Sequence, residues 1–163
     1  MHELSSIAER NGGAVVQYLG DSIFVMWNAP VDDISHAEHG WRCALAMKAA
    51  VDGLNEANLS NGRPELLTRF GLHTGPAVVG SFGAISRQQY TAMGDTINVA
   101  SRLEGMNKDL NTSILTSAAT RAAVADRFDF RPFGLAPVKG RAEKVDIWEL
   151  VGEISDESRS CDR

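Results

Sequence analysis

Cysteine is scarce in this sequence: the 163 residues contain two. Cys43 falls in an apolar helical stretch, where it reads as a small core side chain, and Cys161 falls in a polar tail. Two isolated thiols make neither a disulfide framework nor a zinc site, so a reducing compartment is expected. No apolar run approaches the roughly 18 residues that would span a bilayer, and the N-terminus lacks the pattern of a signal peptide. The chain is therefore expected to be cytoplasmic with no membrane contact of its own. A place as the cytoplasmic end of a larger, membrane-anchored protein is equally compatible with this pattern.

Excess positive charge is also missing. Sixteen Lys and Arg against 21 Asp and Glu give a formal net charge of −5 and a pI of about 5.3. Such a surface repels phosphate backbones, which argues against general nucleic-acid binding. It does not argue against a small nucleotide, because a bound divalent cation reverses the local charge. There is no Walker loop, no dinucleotide fingerprint and no nucleophile elbow. Internal repeats and low-complexity segments are absent. The four histidines form no ligand set: His36 and His39 stand three apart on a predicted helix without a third partner, and His73 precedes Thr74-Gly75 in a predicted hairpin.

What is present suits an ordinary globular domain. Hydrophobic residues make up 44% and charged residues 23%, and a chain of this length can bury about two-thirds of its unfolded surface. One domain is expected over residues 1–153, followed by a polar tail over 154–163. Residues 1–11 read as the end of a helix stopped by Gly12-Gly13. Ala14–Leu19 and Ser22–Trp27 read as strands around a Gly20-Asp21 turn. A long helix is predicted over His36–Leu59, with Ala44, Met47, Val51 and Leu54 on one buried face. Leu66–His73 and Pro76–Phe82 read as paired strands, and Gly83–Gln89 as a polar loop. A helix over Thr96–Met106 has Asp95 as its N-cap. A short strand over Ser113–Thr116 and a short helix over Ala118–Ala125 precede two closing strands, Phe128–Phe133 and Val145–Val151. Strands in adjacent pairs between single helices predict an α+β fold, with an antiparallel-rich sheet covered by helices.

Three places could carry chemistry. Asp21 sits at a turn between two apolar strands, where rigid flanks would hold its carboxylate as a hard-cation ligand. A turn Asp selected for its own backbone hydrogen bonds is the plainer alternative. On the 95–106 helix, Asn98 and Arg102 stand four apart and share a face. An amide beside a guanidinium suits a sugar and a phosphate; a solvated polar face is the commoner case. Lys139-Gly140-Arg141 places two cations around a glycine, within reach of phosphate oxygens or simply in a surface loop.

Taken together these segments resemble a known family. The run Gly12-Gly13-Ala14-Val15-Val16-Gln17-Tyr18-Leu19-Gly20-Asp21-Ser22-Ile23-Phe24-Val25-Met26-Trp27 resembles the second metal-binding hairpin of class III nucleotide cyclases. Phe70-Gly71-Leu72-His73-Thr74-Gly75 with Val78-Val79-Gly80 resembles their next strand pair. Tyr90-Thr91-Ala92-Met93-Gly94-Asp95-Thr96-Ile97-Asn98-Val99-Ala100-Ser101-Arg102-Leu103-Glu104 is similar to the helix that carries their Asn and Arg. Lys139-Gly140-Arg141 and Trp148-Glu149-Leu150 resemble the family's end. The motifs occur in the family's order across nearly the whole chain.

The resemblance implies a ferredoxin-like α+β sheet and conversion of ATP or GTP into a 3′,5′-cyclic monophosphate and pyrophosphate. It implies two Mg2+ or Mn2+ ions per site bound through Asp21, a ribose oriented by Asn98, and α-phosphate charge stabilised by Arg102. Gln17 and Thr91 fall where the family reads the purine. Lys139, in preference to Arg141, would hold the terminal phosphates. A homodimer with shared sites is implied too. Two departures stand out. The family's earlier strand and helix, with another metal Asp, have no counterpart here, so these residues supply half the metal cage and are expected to be nearly inactive alone. Gln17 stands where adenylate cyclases usually have Lys and guanylate cyclases usually have Glu. Its amide can pair with either purine, and the hydroxyl of Thr91 favours ATP by similarity. The rival expectation is a cyclase-like module that binds nucleotide or dimerises without chemistry. A plain α+β interaction domain is the third.

Overall fold

A computed structural model describes residues 1–124, 127–136 and 144–154. The elements in chain order are α1 (His2–Arg10), β1 (Ala14–Leu19), β2 (Ser22–Met26), α2 (His36–Ser60), β3 (Phe70–Leu72), β4 (Val78–Ala84), β5 (Arg87–Met93), α3 (Asp95–Leu110), β6 (Ile114–Ser117), α4 (Ala118–Ala122), β7 (Phe128–Ala136) and β8 (Val145–Glu153). They form two compact units, Met1–Thr68 with Gly75–Asn98, and Arg69–Thr74 with Val99–Arg163.

In the first unit, α1 buries Ile7 and Ala8 and lies beside α2 and β1. Gly12, at φ +71°, ends it, and the Gly13 N–H returns to the Ala8 carbonyl at 2.9 Å. Gly13 has no room for a side chain: a Cβ there would lie 2.7 Å from Val25 Cγ1 and 2.9 Å from Trp27 Cζ2. β1 and β2 pair antiparallel through Leu19 and Ser22, so Gly20-Asp21 is a two-residue turn. Gly20, at φ +62°, supplies the positive φ that a II′-type hairpin turn needs at its first position. α2 buries Ala44, Met47 and Val51, as the periodicity predicts, and also Trp41.

The predicted apolar face ends differently. Leu54 is 48% exposed, and Asn55 takes the buried place. The Asn55 amide donates to the Leu66 carbonyl at 2.9 Å and accepts from the Leu66 N–H at 2.8 Å. Leu66 therefore spends its backbone groups on a side chain, and the strand predicted from Leu66 begins only at Phe70. Its partner also differs. Phe70–Leu72 pairs in parallel with Ile114–Thr116, whereas Val78–Ala84 pairs with Arg87–Met93 in an unbroken antiparallel register. The predicted polar loop over Gly83–Gln89 is thus the end of a hairpin turning at Ile85-Ser86. Most of its side chains are exposed, so polarity there carries no signal against a strand.

The second unit is a four-stranded sheet in the order β3-β6-β8-β7, antiparallel except for β3-β6. Val99 and Leu103 of α3 pack on Leu115, Val145 and Ile147, with Met106, Leu110 and Ala136 at the margin. Buried Asn107 donates to the Phe70 carbonyl at 2.9 Å and accepts from the Thr112 hydroxyl at 2.8 Å, tying the helix to β3 and to the following turn. The result is the antiparallel-rich α+β arrangement with covering helices that the sequence predicts.

Candidate functional site

The β1–β2 hairpin positions two of the expected residues. Asp21 lies at its tip, exposed together with Tyr18, Leu19, Gly20 and Ser22. Below the tip the register shifts between Val15 and Gln17, which leaves Val16 as an extra residue in β1. Such a bulge re-aims the side chains that follow it. Gln17 stands opposite Phe24, and Tyr18 opposite Ile23. Tyr18 shares a 2.7 Å hydrogen bond with the Ser5 hydroxyl of α1, and Trp27 Nε1 donates to the Asn11 carbonyl at 2.9 Å. α1 therefore braces the hairpin from one side.

Thr91 lies on β5 opposite Gly80 and is half-buried, as Gln17 is. Within the first unit β1 and β5 approach one another, so the strands carrying these two polar side chains are neighbours. Asn98 is exposed in the first turns of α3, and Arg102 follows one turn later. The helix continues through both positions, so they share a face. Nη1 of Arg102 is buried and has no hydrogen-bond partner among the described residues. Lys139 and Arg141 lie outside the described residues.

Among the described residues, no group of three or more His, Cys, Asp or Glu could hold a metal ion. His39 instead pairs with Asp33, Nδ1 to Oδ2 at 2.7 Å. That hydrogen bond, the Ser35 N–H and the nearby His39 and His36 hold the Asp33 carboxyl below its ordinary value of 3.8, against a smaller opposing effect of burial. His73 bonds through Nδ1 to the buried Ser117 hydroxyl at 2.6 Å. Both histidine side chains are thus engaged by neighbours within the fold. Burial pushes the Cys43 thiol up to about 11, the behaviour of an inert core cysteine.

Sequence reading passed over two features near the expected residues. The bulge at Val16 has no residue-type signal. The Thr96 hydroxyl donates to the Pro76 carbonyl at 2.6 Å; a Thr in the first turn of a helix was the only available hint.

Comparison with known proteins places this geometry in context. The sequence profile described as the adenylate and guanylate cyclase catalytic domain matches residues 1–152. The chain is 55% identical over 150 residues to adenylate cyclase 1 of Rhizobium meliloti (strain 1021), a match covering 92% of this chain and 23% of that protein. The chain thus spans less than a quarter of that relative's length. Among solved structures, the adenylyl cyclase CyaB from P. aeruginosa superposes with a TM-score of 0.85 at 31% identity, covering 95% of this chain and 80% of that one. The guanylyl cyclase Cya2 superposes with a TM-score of 0.81 at 27% identity, covering 95% and 78%.

Proposed function

This chain belongs to the family of adenylate and guanylate cyclase catalytic domains, and from that premise we propose that it is the catalytic part of a cyclase acting on ATP in signal transduction. In the reaction, the ribose O3′ bonds to the α-phosphorus and the bond from that phosphorus to the bridging oxygen breaks. The products are the 3′,5′-cyclic monophosphate and pyrophosphate, and the hydroxyl proton passes to water. The cytoplasm is the compartment that fits, as the source of ATP and a place for the free Cys43 thiol.

The observation that carries this reading is Arg102. A buried donor without a partner costs about 1–3 kcal/mol, and a phosphate oxygen reaching Nη1 removes that cost. A guanidinium fixed in advance stabilises the charge that develops at the α-phosphate without reorganising. Asn98, one turn earlier, offers a donor and an acceptor to the ribose. Gln17 and Thr91 read the purine edge, supported by their half-buried places on neighbouring strands. Both can rotate between donor and acceptor roles, so the preference for ATP over GTP is modest. The adenylate cyclase at 55% identity supports ATP. Lys139 is assigned to the terminal phosphates as a point charge.

The family's chemistry calls for Mg2+ or Mn2+ to neutralise the departing phosphates. The described residues do not make such a site by themselves: Asp21 is one exposed carboxylate, while these cations take about six oxygen ligands. Asp21 is assigned as one of those ligands, and the roles of Asn98 and Arg102 stand without the ion. Two copies of the chain share their sites, the hairpin of one working with α3 of the other.

The test is incubation of the natural full-length polypeptide with ATP or GTP and Mg2+ or Mn2+, followed by separation of products. Cyclic AMP with equimolar pyrophosphate is expected, in excess over cyclic GMP. Nucleotide binding without either product would identify a non-catalytic module instead.

A further inference from the structure

The first turn of a helix is its least constrained part, because its N–H groups have no partners within the helix. In α3 that turn carries Asn98, whose amide must hold one orientation to be useful. The structure ties the turn down from behind. Thr96 Oγ1 donates to the Pro76 carbonyl at 2.6 Å. The same stretch of backbone crosses Gly94, where an added Cβ would sit 3.6 Å from the Pro76 oxygen and 3.8 Å from Ala77 Cα. Gly94 adopts φ +141°, a conformation open to glycine and strained for other residues. The β5–α3 junction therefore runs alongside residues 76–77, and the Thr96–Pro76 hydrogen bond is what anchors it there.

The geometry gives this contact a direction. Residues 96 and 98 are two positions apart, or about 200° around a helix of 3.6 residues per turn. Thr96 thus grips the face roughly opposite Asn98. A rotation of the first turn about the helix axis would swing Asn98 sideways, and it would also stretch the Thr96–Pro76 bond. We propose that Thr96 is a positioning residue for Asn98: its hydroxyl, anchored on the Pro76 carbonyl, fixes the rotation of the α3 first turn and so the aim of the Asn98 amide. This rests on the reading of Asn98 as the ribose-orienting group. Thr96 itself touches no substrate.

The proposal separates a hydroxyl effect from a packing effect. Thr96→Val keeps the shape and removes the donor, and Thr96→Ser keeps the donor and removes a methyl. In the full-length enzyme Thr96→Val should lower kcat about tenfold, the loss expected when one hydrogen bond's worth of positioning disappears from the transition state. KM for ATP should stay within about twofold, since uniform binding is untouched. Thr96→Ser should keep at least about half of kcat, with the Tm of both variants close to that of the parent. The decisive arm is the Asn98→Ala background. There Thr96→Val should cost less than about twofold, because its effect runs through Asn98.

Wild-type turnover by Thr96→Val, or a full tenfold loss on top of Asn98→Ala, would overturn the positioning role while leaving the Asn98 reading intact. Wild-type turnover by Asn98→Ala would overturn both. If Asn98→Ala is too slow to measure, the Val-against-Ser contrast decides: equal losses in the two variants refute a role for the hydroxyl.

Discussion

The hairpin and the helix that carry the proposed site residues are held in opposite ways. The β1–β2 tip is bare. Tyr18 to Ser22 are exposed, and a Cβ added at Gly20 would meet nothing within 4 Å. Its braces are the Tyr18–Ser5 hydrogen bond and, at the base of the hairpin, the Trp27–Asn11 hydrogen bond. The back of α3 is the reverse. Val99 and Leu103 are fully buried, and a Cβ at Gly71 of β3 would lie 2.1 Å from the Ala100 carbonyl oxygen and 2.3 Å from the Glu104 nitrogen. A side chain on the bare tip can adjust to an ion or a second chain. The packed helix holds the backbone of Arg102 in place, which suits the role proposed for it, since electrostatic stabilisation of a transition state asks for a charge positioned in advance.

The sharpest way to break this contrast is to remove the charged group from each element. Arg102→Ala should lower kcat by about 10²–10³-fold, the usual cost of losing one preorganised donor. Asp21→Ala should abolish turnover without lowering Tm, because its carboxylate is exposed. Mixing the two variants should raise activity well above that of either alone, since one site of a mixed dimer keeps both groups. A mixture without that rise, with heterodimer confirmed, would refute sharing of sites between copies.

A second comparison concerns the glycines behind the two elements. Gly71→Ala forces a methyl into helix backbone and should destabilise by about 3 kcal/mol or more, beyond ordinary overpacking. Gly20→Ala has space and meets only the penalty of its positive φ, about 1–2 kcal/mol. Urea unfolding of both variants measures the difference; equal midpoints would mean that β3 and α3 are not in tight contact.

The smallest effect sharpens the role of the hairpin. Gln17→Lys replaces an amide that can serve either purine with a donor alone. An unpaired buried polar group costs about 1–3 kcal/mol, so the kcat/KM ratio of ATP over GTP should rise by about tenfold. A parent enzyme that already rejects GTP by about ten-thousandfold, the scale enforced by unpaired polar groups, would show that Gln17 is not the ambivalent reader.

Local grammar made much of this legible. Gly20-Asp21 between apolar runs announces a hairpin, and Ala44, Met47 and Val51 announce the buried face of α2. The spacing of Asn98 and Arg102 puts both on one side of α3, whatever surrounds them. Each of these depends on neighbours within one or two turns of chain, where backbone geometry alone dictates the outcome. The strand partners were not legible in the same way. Phe70–Leu72 and Val78–Ala84 look like a hairpin because a Thr74-Gly75 turn lies between them, yet each pairs elsewhere.

By itself, then, the sequence determined which residues turn, which lie on a common helix face and which segments are apolar enough to be buried. The tertiary structure decided the rest. It paired β3 in parallel with a strand more than 40 residues away, inserted Val16 as a bulge that sets the facing of Gln17, and left Arg102 Nη1 buried without a partner among the described residues. It also anchored Thr96 on a carbonyl 20 residues back. Pairing, desolvation and anchoring depend on atoms that are distant in the chain and adjacent only after folding, so no local pattern of residue types can encode them.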